Sequence, residues 1–187
     1  MAKTVADKFL TFGSGALAAP TSIKTSIATA VSIQTYNGAA LNGAVGAAAF
    51  TCPRVVTATL SASAGAYTAA SSITVTGTDQ FGAAISDTLA IAGTGGGVTI
   101  SSVKFFSSVT QIVIAAQANT AGSFTFGQSD AAVNATQLRV GTACNLDLKC
   151  KDGTLGTIYS VQVGEQVPVG VAIVFATSTA QGITAYV

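Results

Sequence analysis

A chain of 187 residues is long enough to bury a core of its own and suits one large β-domain or two small ones. Only 8% of it is charged, against roughly 25% in an ordinary soluble domain, while 49% is apolar, 7% aromatic and none is Trp. The eight Lys and Arg are scattered between Lys3 and Lys151 in no basic cluster, which excludes nucleic acid and anionic membrane as partners, and a net charge of +1 protects a free monomer poorly against association.

In chain order, Met1-Ala-Lys3 and Phe9-Leu-Thr-Phe-Gly-Ser-Gly-Ala-Leu-Ala-Ala-Pro20 have the outline of a secretory signal. Asp7, Lys8 and Gly13-Ser-Gly15 interrupt it, so a cleaved leader is not expected. No apolar run approaches the ~18 residues of a membrane helix. Residues 5–12 are expected as a short helix capped by Thr4. Residues 21–35 mix Ser, Thr, Ile and Ala without a helical face, Asn37-Gly38 and Asn42-Gly43 signal turns, and residues 39–50 are rich in Ala and Gly. Residues 1–50 are therefore expected to form an N-terminal arm with one or two strands, too poor in apolar periodicity for its own core and ordered by neighbouring subunits.

The signal sharpens from Cys52. Arg54-Val-Val-Thr-Ala-Thr-Leu60 is β-branched and follows Pro53. Ile73-Thr-Val-Thr76 alternates, Gly77-Thr-Asp-Gln-Phe-Gly82 supplies a turn, and residues 83–91 return, which predicts a hairpin. Asp87 shares the parity of Ile85, Leu89 and Ile91, so it points inward unless a bulge or sheet end accommodates it. Gly93-Thr-Gly-Gly-Gly97 leads into residues 98–106, where the apolar parity flips between Ile100 and Val103 and predicts a bulge near Ser101-Ser102. Residues 109–115 and Ser123-Phe-Thr-Phe126 complete an antiparallel, jelly-roll-like β-sandwich over residues 51–127. After Gly127-Gln-Ser-Asp130, residues 128–187 read as a smaller second β-unit or a continuation of the sandwich. Its expected strands are 137–140, 144–150, 157–163, 167–175 and 182–187, with Lys151-Asp-Gly153 as a turn. The fold class is all-β.

Chemistry is scarce. The absence of histidine removes every Ser-His and Cys-His nucleophile scheme and the usual neutral-pH base. Asp79 and Asp87 share a hairpin, but a glycosidase pair needs facing carboxylates about 5–10 Å apart, and Asp79 occupies a turn position that favours Asp for backbone hydrogen bonds. Gly95-Gly-Gly97 lacks the Lys-Ser/Thr of a phosphate loop and follows no βα unit. Asp147, Asp152 and Glu165 match no calcium-loop spacing. Cys52, Cys144 and Cys150 read as small buried hydrophobes: the last two lie about 20 Å apart on one strand face, and zinc would lack further ligands. Tyr36, Tyr67, Tyr159 and Tyr186 form no sequence cluster, and Tyr67 is expected to pack over a strand end. No catalytic, cofactor or metal residue is assigned, and no enzymatic activity is expected.

The middle of the chain carries a resemblance. Arg54-Val-Val-Thr-Ala-Thr, Ser63-Ala-Gly-Ala-Tyr67, Val75-Thr-Gly-Thr-Asp-Gln-Phe-Gly82, Asp87-Thr-Leu, Gly95-Gly-Gly97 and Val103-Lys-Phe-Phe-Ser-Ser-Val-Thr-Gln-Ile112 follow one another. The series resembles small β-rich virion proteins of tailed bacteriophages, of the head decoration (cement) type. That resemblance implies a place on the capsid surface of a virion, the major capsid protein as partner, and a homo-oligomer, with a trimer favoured. A tail-tube or other tail structural protein is the alternative, and a surface adhesion β-module the second.

Overall fold

The computed structural model describes residues 9–11, 19–50, 52–135, 137–141, 143–150, 155–167, 170–175 and 183–186. The first strands are β1 (Phe9–Thr11), β2 (Ala19–Ala28) and β3 (Gln34–Asn37), followed by a 3-10 turn (Gly38–Ala40). Then come β4 (Arg54–Leu60), β5 (Ser71–Thr78), β6 (Ala84–Ile91), β7 (Thr99–Phe106), β8 (Ser108–Ile114) and β9 (Ser123–Ala135). The rest are β10 (Gln137–Arg139), β11 (Cys144–Cys150), β12 (Leu155–Val161), β13 (Gln166–Val167), β14 (Val171–Val174) and β15 (Thr184–Tyr186). The protein is all-β, with antiparallel pairing and no α-helix among the described residues. Phe9–Thr11 is a strand, where the sequence predicts the second half of a short helix.

The chain divides into two compact units, one of Ala18–Ser129 and one of Met1–Leu17 with Asp130–Val187. In the larger, one sheet runs β3-β8-β5-β6, and the other brings together β4, β7, the first part of β9 and β2. Between them lies a core that includes Ile23, Val56, Tyr67, Ile73, Leu89, Ile112, Phe124 and Phe126. The β5–β6 hairpin keeps an unbroken register from Ser71↔Ile91 to Thr78↔Ala84. Alternation explains it: Ile73, Val75, Leu89 and Ile91 face the core, and the residues between them face out.

Residues 19–50 are not an arm. Ile23, Ile27, Leu41 and Phe50 belong to the sandwich core, β2 pairs with β9, and β3 pairs with β8 from Gln34↔Ile114 to Asn37↔Gln111. The segment after β3 is strapped to β2, with Gly43 N–H donating to Ile23 O at 2.9 Å and Val45 N–H to Ser22 O at 2.7 Å. Only glycine fits at 43, because a Cβ there would stand 2.3 Å from Ser22 O. Burial on its own chain therefore orders this region, and the expectation that neighbouring subunits order it fails for these residues.

In the smaller unit β11 pairs with β12 and β14, β14 pairs with the end of β9, and a separate sheet runs β1-β15-β10-β13. Leu138, Val140, Leu146, Leu148, Val161, Val171 and Val174 are buried. The strand expected over 167–175 is instead β13 and β14, and Lys151-Asp-Gly153 lies outside the described residues.

Candidate functional site

The two hairpin carboxylates are each occupied by backbone. Asp79 Oδ1 accepts from Phe81 N–H at 2.8 Å and Ala83 N–H at 2.9 Å, and Gly82 N–H closes the turn onto Asp79 O at 3.1 Å. Asp first and Gly fourth suit a type I turn, and Gly82 takes a φ of 81°. Asp87 Oδ2 accepts from Val103 N–H at 2.7 Å and Lys104 N–H at 2.9 Å, and its Oδ1 from Thr88 N–H at 2.8 Å. Burial raises the Asp87 carboxyl, but those three donors and the Lys104 ammonium outweigh it and hold the group below its ordinary range. Both side chains stabilise local backbone and have the partners of structural groups.

The triple glycine is a packing device. A Cβ on Gly96 would meet Ser61 O at 1.5 Å and the Tyr67 ring at 2.8 Å, and Gly97, at φ 78°, donates to Leu60 O at 2.9 Å. Tyr67 is fully buried, edge-on to Phe124 at 5.3 Å between ring centres. Its hydroxyl lies 3.0 Å from Ser61 O and 2.9 Å from Ser123 O, so it joins the end of β4 to the start of β9. The strand-end role expected of Tyr67 is the one it has.

Tyr36 is half-buried beneath Lys24, whose ammonium lies 5.2 Å from the ring centre and donates to Asn42 Oδ1 at 3.1 Å. Burial pushes the Tyr36 hydroxyl pKa up. The side chains of Tyr159 and Tyr186 lie outside the described residues, as does Asp152. Asp147 accepts from Thr157 Oγ1 at 2.6 Å, and Glu165 Oε2 from Gln162 N–H at 2.8 Å. Among the described residues no three acidic or cysteine side chains gather as a metal site. Cys52 and Cys144 are buried and not disulfide-bonded. Burial, helped by the Glu165 carboxylate, raises the Cys144 thiol and keeps it protonated and unreactive.

What the larger unit offers instead is surface. Its residues charged at neutral pH are Lys24, Arg54, Asp79, Asp87 and Lys104. Lys24 and Arg54 are buried, both aspartates are engaged as described, and Lys104 Nζ donates to Ser86 O at 2.7 Å. The outer face of the β3-β8-β5-β6 sheet has no charge at all. Thr74 stands opposite Thr88 on one side and Val113 on the other, and Thr76 opposite Ser86 and Gln111. Ser72, Ala90, Thr35 and Asn37 extend the same face.

Sequence reasoning missed Phe81, which is 83% exposed at the hairpin tip. An aromatic inside a polar Asp-Gln-Phe-Gly turn was the available signal. It also missed a cleft of about 420 Å³ beside the triple-glycine loop, lined by Leu60, Ile91, Gly93, Gly96, Val98 and Ile100 among others. No protein-family model, curated protein or solved structure matches the chain.

Proposed function

We propose that the chain is a structural subunit of a tailed-bacteriophage virion, a head decoration protein that stabilises the shell by bridging subunits of the major capsid protein. The observation that carries this reading is the uncharged outer face of the β3-β8-β5-β6 sheet. Repulsion between charged surfaces keeps most soluble proteins apart, and here the larger unit has only five charged residues, two of them buried and none on that face. A face rich in Thr and Ser side chains contributes contact area and hydrogen bonds without the cost of desolvating ions. The resemblance of residues 54–112 to decoration proteins supplies the location, and the hydroxyl face supplies the means.

The test is rupture of particles by heat or chelator, with and without the protein, scored by DNA release. Particles carrying it should open at higher temperature, and attachment should change little between low and moderate salt, because few ion pairs are available to screen. Equal rupture of both particle types would remove the cement role and favour a tail location. Detachment in moderate salt would show that charge, not hydroxyl and apolar contact, holds the interface.

A further inference from the structure

We propose that Asn37-Gly38 is a site of spontaneous deamidation, which puts a carboxylate on the otherwise uncharged face of the β3-β8-β5-β6 sheet. The chain's other Asn-Gly pair, Asn42-Gly43, is held intact by the fold. The site stands on its own geometry, and its consequence for contact rests on the decoration reading. The reaction needs only water. The Gly38 amide nitrogen attacks Asn37 Cγ and bonds to it, the Cγ–Nδ2 bond breaks, and Nδ2 leaves as ammonia with the proton that Gly38 gives up. The cyclic imide then takes up water and opens at either carbonyl, leaving aspartate or isoaspartate.

Glycine after asparagine obstructs that ring least, because it has no Cβ and rotates freely. At 37–38 the freedom is kept. Asn37 is exposed and extended, at φ −147° and ψ 164°, and its side chain caps nothing. Gly38 is also exposed, takes φ 50°, and has nothing within 4 Å of where a Cβ would stand. Its carbonyl accepts from Leu41 N–H at 3.0 Å, but among the described residues no hydrogen bond ties down its own N–H, the group that must attack. Closing the ring requires rotation about the Asn37 Cα–C bond, and the single turn Gly38–Ala40 is what has to follow it.

At 42–43 the same pair is clamped. Gly43 N–H donates to Ile23 O at 2.9 Å and Val45 N–H to Ser22 O at 2.7 Å, and a Cβ on Gly43 would stand 2.3 Å from Ser22 O. Asn42 Oδ1 accepts from Lys24 Nζ at 3.1 Å and Thr25 Oγ1 at 3.3 Å. Those donors polarise the amide, but they also fix it, and the nitrogen that would attack is engaged on β2. What the reaction at Asn37 changes is the face. Asn37, Gln111, Thr76 and Ser86 form one row across the four strands, with no charge in it. A carboxylate there must be desolvated before a partner can cover the row. Isoaspartate also lengthens the main chain at the end of β3.

The test is peptide mapping by mass spectrometry of the full chain, held in mildly alkaline buffer both native and in denaturant. In the native protein Asn37 should convert roughly tenfold or more faster than Asn42, because two backbone hydrogen bonds must open before Gly43 can attack. In denaturant the two should convert at similar rates. Equal native rates, or a native Asn37 that stays intact, would overturn the proposal. Asn37→Gln keeps an amide and a neutral face but resists ring closure, so it controls for the consequence. Aged wild type and Asn37→Asp should bind shells on the order of tenfold more weakly than aged Asn37→Gln. Conversion at Asn37 with unchanged shell binding would leave the site standing and overturn the reading of this face as the contact.

Discussion

Asp87 shows how one side chain can look wrong in its own strand and be explained by another. Its inward parity suggests a bulge in β6, yet β6 pairs with β5 without a slip. The irregularity is in β7, where Val55 pairs with Phe105 and Thr57 with Ser101, leaving Ser102, Val103 and Lys104 opposite Val56. Ser102 Oγ accepts from Val56 N–H at 3.0 Å and donates to Lys104 O at 2.8 Å, while Asp87 takes the two N–H groups that the bulge turns away from β4. The bulge was legible from the parity flip after Ile100; its tie to Asp87 was not, because the pairing lies between the edge strands of two sheets. Hydrogen bonds to a charged group contribute roughly 1.5–3 kcal/mol, and partial exposure reduces this, so Asp87→Ala should cost about 1–2 kcal/mol. The folded carboxyl is depressed, so its contribution is fully present above the unfolded value near pH ~4 and is lost as pH falls through the lower folded value. Thermal melts of wild type and Asp87→Asn should differ by a constant amount from pH 5 to 8 and converge below about pH 4. A difference that persists unchanged to pH ~2.5 would show that the carboxylate is not what holds the bulge.

At the scale of elements, legibility followed regularity. β4 and β11 have the bounds that their alternation and β-branching predict, and the β5–β6 hairpin was readable from Asp79 and Gly82. β2 was not, because Ser22, Ile23 and Lys24 are buried in succession and its register with β9 shifts twice, so no period of two survives. Gly127-Gln-Ser-Asp130 reads as a boundary, and the division between the two units does fall at Ser129/Asp130, though within the continuous strand β9; a Cβ on Gly127 would stand 2.0 Å from Ala19 O, so this glycine marks close approach of β2 rather than a turn. The triple glycine holds both kinds of residue side by side. Gly96→Ala would drive a methyl into Ser61 O and the Tyr67 ring and should cost at least about 2–3 kcal/mol, visible as a lower unfolding midpoint in denaturant. Gly95→Ala meets nothing within 4 Å and should stay within about 1 kcal/mol of wild type. Equal effects of the two would refute the packing account of this loop.

For the whole molecule, the informative contrast is where the charge sits. Beyond the five charged residues of the larger unit, all the others, Lys3, Asp7, Lys8, Asp130, Arg139, Asp147, Lys149, Lys151, Asp152 and Glu165, belong to the smaller one. Bulk composition showed the scarcity of charge, and the expected sandwich of residues 51–127 already held four of the larger unit's five charges; only Lys24 is added by residues 18–50 joining it. The smaller unit's five cations and five anions cancel, so what it adds to the chain is hydrated charged side chains and not net repulsion, while the larger unit supplies contact. Every residue of the larger unit's core cluster, from Ile23 to Phe126, lies within Ala18–Ser129. Its closing contacts lie there too, including Tyr67 on Ser123 and Arg54 on Ser129 O at 3.2 Å. A fragment of residues 18–129 should therefore fold alone, with a β-type circular dichroism spectrum and one cooperative thermal transition at low concentration. It should also precipitate at a lower concentration than the full chain, because it keeps the uncharged faces and, at the same net charge of +1, loses ten of the fifteen charged side chains that hydrate the surface. A fragment without a cooperative transition would show that the sandwich depends on the rest of the chain. One that folds and stays as soluble as the full chain would show that the smaller unit's charges do not keep the protein dispersed.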